Sequence, residues 1–122
     1  MSAIDVHCHV VPEKFPAYAG KGRDVPWPSM ADAHACHKHV MISGKVYRTV
    51  SDGSWSVSRR IEHMDATRVA REVLSPMPEL FSYWLPLEDA KLLVRYINEQ
   101  QAEMIAQAPD RFVGLGGVPL QD

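Results

Sequence analysis

Hydrophobic positions in this chain change period several times, and each change marks an element. In residues 3–10, Ile4 and Val6 alternate with Asp5, His7 and His9, a two-residue period that predicts a short buried strand carrying its polar side chains on one face. Residues 11–35 hold Pro12, Pro16, Pro26 and Pro28 with Gly20 and Gly22, a density that predicts a long loop without regular structure. Loops of that length ordinarily serve a function or cover something. Two β-prone arms around Ser43 and Gly44 predict a β-hairpin over residues 39–50. Ser56 or Ser58 can cap a helix running to about Thr67, in which Val57, Ile61 and Met64 recur near helical spacing. A strand over 69–74 follows, stopped by Pro76 and Pro78. The clearest helix covers 87–108, where Ala90, Leu93, Val94, Ile97, Gln101, Met104, Ile105 and Ala108 form one largely apolar stripe between Pro86 and Pro109. The almost wholly apolar run 112–120 predicts a strand buried on both faces.

Strands alternating with helices imply parallel strands joined by crossovers, so the fold class is α/β. At 122 residues and 13.7 kDa the chain is one domain's worth. It stops just after its third expected strand, whereas a closed (β/α)8 barrel needs about 250 residues. The expectation is therefore either a small open sheet or the opening part of something larger. A composition of 46% hydrophobic and 23% charged residues is that of a folded protein. The net charge of −2 excludes the basic footprint of a nucleic-acid binder. No apolar run approaches the ~20 residues that span a bilayer, and the first residues lack a secretory pattern, which makes the cytosol the default location.

Candidate chemistry begins with His7-Cys8-His9, two imidazoles on one side of a strand, spaced to clamp one divalent metal. A bare His-x-His is common at strand ends, but this pair closes the first strand of an α/β chain, where such folds bind ligands. Two ligands do not complete a catalytic zinc site, so others must join them. Within the chain the candidates are His34, Cys36, His37, His39 and His63, although no second Cys/His pair lies at zinc-finger spacing and His63 reads as a surface residue. Arg48, between Val46 and Val50 on one strand face, calls for an anionic partner: a substrate carboxylate, or on pattern alone a cross-strand salt bridge. Phe81-Ser82-Tyr83-Trp84 follows the second α/β strand, where aromatic residues line either a core or a substrate wall. Gly114, Gly116 and Gly117 lack dinucleotide-binding spacing, so no dinucleotide site is expected.

Taken together, Ile4-Asp5-Val6-His7-Cys8-His9, Gly44-Lys45-Val46-Tyr47-Arg48, Met64-Asp65, Val73-Leu74-Ser75-Pro76-Met77-Pro78, Phe81-Ser82-Tyr83-Trp84 and Arg111-Phe112-Val113-Gly114-Leu115-Gly116 resemble the amidohydrolase superfamily. Within it they are most similar to the aminocarboxymuconate-semialdehyde decarboxylase branch. The resemblance implies a metal-dependent TIM (β/α)8 barrel, usually holding zinc, of which this chain is the N-terminal third. Residues 11–52 would be an insertion of loop and β-hairpin after the first strand. His7 and His9 match the first two metal ligands, and Arg48 the arginine that grips a substrate carboxylate. Trp84 would contact substrate, while the remaining ligands and the acid/base histidine would lie beyond Asp122. Arg68 stands where relatives commonly have glycine, and Arg71 and Glu72 put unusual charge into the second α/β strand, which leaves room for a different substrate. The function implied is non-oxidative decarboxylation of an unsaturated or aromatic carboxylic acid, without an organic cofactor, by a full-length homodimer. The alternatives are a hydrolase of the same superfamily acting on an ester, lactone or amide, and an inactive fragment serving as an interaction module.

Overall fold

The computed structural model describes residues 2–122 and contains two three-stranded sheets. The first sheet is parallel, with the order β1 (Ala3–Val10), β5 (Val69–Pro76), β6 (Phe112–Gly114). The second is antiparallel, with the order β2 (Pro28–Asp32), β3 (His37–Ile42), β4 (Lys45–Ser51). Helix α1 (Val57–Thr67) joins β4 to β5, and α2 (Leu87–Gln107) joins β5 to β6.

The expected hairpin is present as β3 and β4, turning at Ser43 and Gly44 with φ of 54° and 74°, the positive values a two-residue hairpin turn needs. Residues 11–35 are not loop throughout, because β2 pairs along β3. Pro28 does not prevent this, since it opens an edge strand, where proline's missing N–H is tolerated.

Two other expectations need correction. Residues 3–7 of β1 are exposed, and only Cys8 and Val10 are buried, because β1 is an edge strand and helix-side packing covers its C-terminal end alone. The run 112–120 is a strand for only three residues. Beyond Gly114 its backbone is held by helix side chains: Leu115 O accepts from Gln101 Nε2 at 3.1 Å, and Asn98 bonds both the N–H and the C=O of Gly117 at 2.8 and 3.0 Å. At Gly114 a Cβ would lie 2.6 Å from Ile105 Cδ1, so the tip of that side chain would have to shift to admit one.

The buried residues form two clusters. Cys8, Val10, Val57, Met64, Leu74, Met104 and Phe112 join the parallel sheet to both helices. Val11, Val40, Met77, Leu80, Leu85, Ala90, Leu93 and Ile97 tie the antiparallel sheet to α2, with Phe15, Val25 and Trp27 of the long loop packed on top. The loop therefore does cover something. Tyr18 pins it by donating to Asp89 Oδ2 at 2.8 Å at the start of α2.

Helix α1 starts at Ser56, whose Oγ accepts from the Arg59 N–H, and ends at Arg68 with φ 59° and ψ 38°. That left-handed position is where glycine stops a helix without steric penalty, whereas a side chain costs roughly 1 kcal/mol. Arg68→Gly should therefore stabilise the fold by about 1 kcal/mol in urea unfolding, and destabilisation would contradict the geometry.

Candidate metal centre

The parallel strands place their C-terminal ends together, pairing His9 with Ser75 and Val10 with Pro76. Between Asp5 and Cys8 the ladder slips by one residue, a bulge of the kind that re-aims side chains beside sites. Asp5 stabilises it locally: its Oδ1 accepts the His7 backbone N–H at 3.0 Å. That N–H, reinforced by the Cys8 thiol, holds the Asp5 carboxyl below its ordinary pKa, so the bulge is fixed by a carboxylate.

Above the bulge the two imidazoles converge. His7 Nε2 and His9 Nε2 lie 3.1 Å apart, with the rings edge to face. Two nitrogens bound tetrahedrally to one zinc at about 2.0–2.1 Å sit about 3.3 Å from each other, so the pair fits a shared ion. Behind His9, Ser75 Oγ lies 3.1 Å from Nδ1 and donates to Cys8 O at 3.2 Å. With its own proton committed to that carbonyl, the hydroxyl accepts Nδ1–H, which leaves the His9 Nε2 lone pair free for a metal.

Cys8 points the opposite way, into the core. It meets Asp5 and Glu72 in a trio whose ligand atoms lie within 4.8 Å of one another. Burial pushes the Cys8 thiol pKa far up, with Glu72 adding to the effect. A thiol that keeps its proton is a poor ligand. Glu72 is already engaged, because Arg60 Nη1 donates to its two oxygens at 3.2 and 3.3 Å. The trio is therefore packing rather than a second metal site.

The histidines of the second sheet do not gather into a site. His34 and His37 stack at 4.1 Å, while His37 Nδ1 donates to Ala35 O and His39 Nδ1 bonds Thr49 Oγ1, each at 2.8 Å. Cys36 is an exposed free thiol, and His63 is exposed on α1. Among the described residues, no three His, Cys, Asp or Glu side chains of this region meet at one point.

Arg48 sits at a second bulge, where Val40 pairs Arg48 but Met41 pairs Val46. The extra residue breaks the expected alternation of Val46 with Arg48. The Arg48 side chain is 57% exposed and donates through Nη2 to Glu79 Oε1 at 2.8 Å, tying β4 to the segment just after β5. This is the anionic partner the pattern called for, an ion pair within the chain, and it engages one nitrogen of the fork. Trp84 is 51% exposed. Its loop is fixed by Ser82, whose Oγ donates to Leu80 O at 2.8 Å, and by Gln121 Nε2, which bonds the carbonyls of Ser82 and Leu85.

Sequence reasoning missed three residues here: Ser75, Glu79 and Arg60, whose Nη2 donates to His9 O at 2.8 Å. Only Ser75 had a usable signal, as a polar residue at the C-terminal end of the strand that pairs with β1.

No family model matches the chain. It is 34% identical over 118 residues to the 2-amino-3-carboxymuconate-6-semialdehyde decarboxylase of Dictyostelium discoideum, covering 97% of this chain and 33% of that protein. It is 30% identical over 119 residues to the Caenorhabditis elegans protein of the same name, covering 98% and 30% respectively. The chain thus spans about a third of the length of the curated relatives it matches. Among solved structures, it resembles 5-carboxyvanillate decarboxylase of Novosphingobium aromaticivorans, complexed with manganese and 4-hydroxy-3-methoxy-5-nitrobenzoic acid. That match has 30% identity and a TM-score of 0.54 over 58% of this chain and 20% of the other. The apo form of Metarhizium anisopliae IDCase superposes over 97% of this chain and 35% of its own, with a TM-score of 0.69 at 16% identity, a likeness of fold alone. By sequence, then, these 122 residues are similar to the 2-amino-3-carboxymuconate-6-semialdehyde decarboxylases over about a third of such a protein's length.

Proposed function

We propose that the protein is a metal-dependent, non-oxidative decarboxylase of an aromatic or unsaturated carboxylic acid. In this reading β1, β5 and β6 are the opening strands of a (β/α)8 barrel, and residues 11–52 are an insertion of loop and β-hairpin after the first of them. His7 and His9 hold one divalent ion, most suitably zinc given imidazole donors, with ligands from elsewhere in the protein. The observation that carries the reading is the 3.1 Å approach of the two Nε2 atoms, with Ser75 occupying the other ring nitrogen of His9. Such an ion supplies Lewis-acid polarisation and lowers the pKa of water toward 7.

The other residues bind and orient. Arg48 is the cation offered to a substrate carboxylate, since Glu79 engages one of its nitrogens and the remaining donors of the fork stay available. Trp84 offers an exposed aromatic face, suited to the ring or conjugated system of the acid.

Arg48→Lys tests the substrate half of this reading. Lysine keeps the charge but loses the planar fork, so kcat/KM should fall by the equivalent of about 1–3 kcal/mol while metal content stays unchanged. Wild-type kinetics in that variant would return Arg48 to a purely structural ion pair with Glu79.

A further inference from the structure

Glu72 is a charge inside the parallel sheet, 8% exposed, and the decarboxylase reading gives it no task. Its partner Arg60 comes from α1, and the two side chains are 11% and 12% exposed. Stability alone does not account for such a pair, because apolar residues of similar volume usually serve a buried site as well or better. Among the described residues Arg60 Nε also lacks a partner, so the arrangement is not optimised as an ion pair.

What distinguishes the pair is its third contact, from Arg60 Nη2 to His9 O at 2.8 Å. Val10 O accepts the Met77 N–H at 3.1 Å. Carbonyls alternate along a strand, so that of His9 is turned away from the ladder with β5. This happens just beyond the bulge between Asp5 and Cys8, where ladder bonds position the chain least firmly. His9 therefore has two anchors: Ser75 on its ring at Nδ1, and Arg60 on its backbone. Together they fix where Nε2 points.

We infer that Arg60, held in place by Glu72, is a positioning residue for the metal site and sets its affinity for the divalent ion through the His9 carbonyl. The inference rests on the reading that His7 and His9 bind the metal. Loss of outer-shell partners typically lowers metal affinity 10–100-fold.

The test uses the natural-length protein, with zinc as the probe, affinity measured by competition with a chromophoric chelator, and melting temperature followed in parallel. The double variant Arg60→Met/Glu72→Met removes both buried charges at similar volume. It should melt near the wild-type temperature yet bind zinc roughly 10–100-fold more weakly. Arg60→Lys keeps a cation opposite Glu72 but cannot fork to Glu72 and His9 O at once, so it should lose most of the same factor. Because it preserves the buried charge pair, it decides the matter if the double variant fails to fold. Wild-type zinc affinity in either folded variant would overturn the inference. His9→Ala separates the two levels: if it retains full zinc affinity, the metal assignment itself fails, whatever the Arg60 variants do.

Discussion

Alanine at both His7 and His9 should leave the protein without its divalent ion and without CO2 release, while the fold survives. The expectation follows from where these side chains lie. His7 is exposed and His9 half-buried, and neither belongs to a core cluster, so truncating them removes no packing on the scale of a core residue. In the proposed site their Nε2 atoms, 3.1 Å apart, are instead the converging donor pair. On that reading, losing both removes two donors of a catalytic site that normally has three protein ligands. Elemental analysis of the purified double variant should find metal at background level, with an unchanged far-ultraviolet circular dichroism spectrum. His63→Ala is the matched control: that imidazole is exposed on α1, and its loss should change neither metal content nor turnover. Full metal retention by the double variant would show that the ion sits elsewhere.

Leu93→Ala should cost about 2–5 kcal/mol, the range for a large-to-small change at a site that cannot collapse. Leu93 is 1% exposed, in the cluster where α2, the antiparallel sheet and the segment after β5 meet. A cavity there would loosen the contacts that hold β4 and Arg48 near Glu79, so kcat/KM should fall along with stability. Leu92, one position earlier and 61% exposed, provides the comparison, since its alanine variant should stay within about 0.5 kcal/mol of wild type. Chemical denaturation of both variants would show whether α2 presents the face described, and a larger cost at Leu92 would mean it does not.

Features set by local periodicity were legible in the sequence. The apolar stripe from Ala90 to Met104 is the buried face of α2, and Ser56 is the cap of α1. The alternation of β1 placed His7 and His9 together, although the Asp5 bulge that shapes their approach leaves no local mark. β2 was hidden because proline density argues against strands, and only pairing with β3 makes an edge position tolerant of Pro28. The apolar run after Phe112 misled in the other direction. Leu115, Val118 and Leu120 read as a buried strand but are exposed, and past Gly114 the chain leaves the ladder, with Asn98 and Gln101 holding the backbone of Gly117 and Leu115. Ser75, Arg60 and Glu79 act on residues 66, 51 and 31 positions away, and periodicity carries no information about such pairs. Arg68 occupies a left-handed helix stop, a conformation that the identity of the residue does not announce, since glycine is its usual occupant.

Metal-dependent decarboxylation is tested most directly by CO2 release. The natural-length protein is assayed with 5-carboxyvanillate and related aromatic and unsaturated acids, with CO2 release and acid consumption followed together, before and after chelation. The expected result is one CO2 released per acid consumed, lost when the ion is removed and restored by zinc or manganese. Turnover that persists in metal-free protein, or hydrolysis of an ester, lactone or amide with no CO2 from any acid, would contradict it.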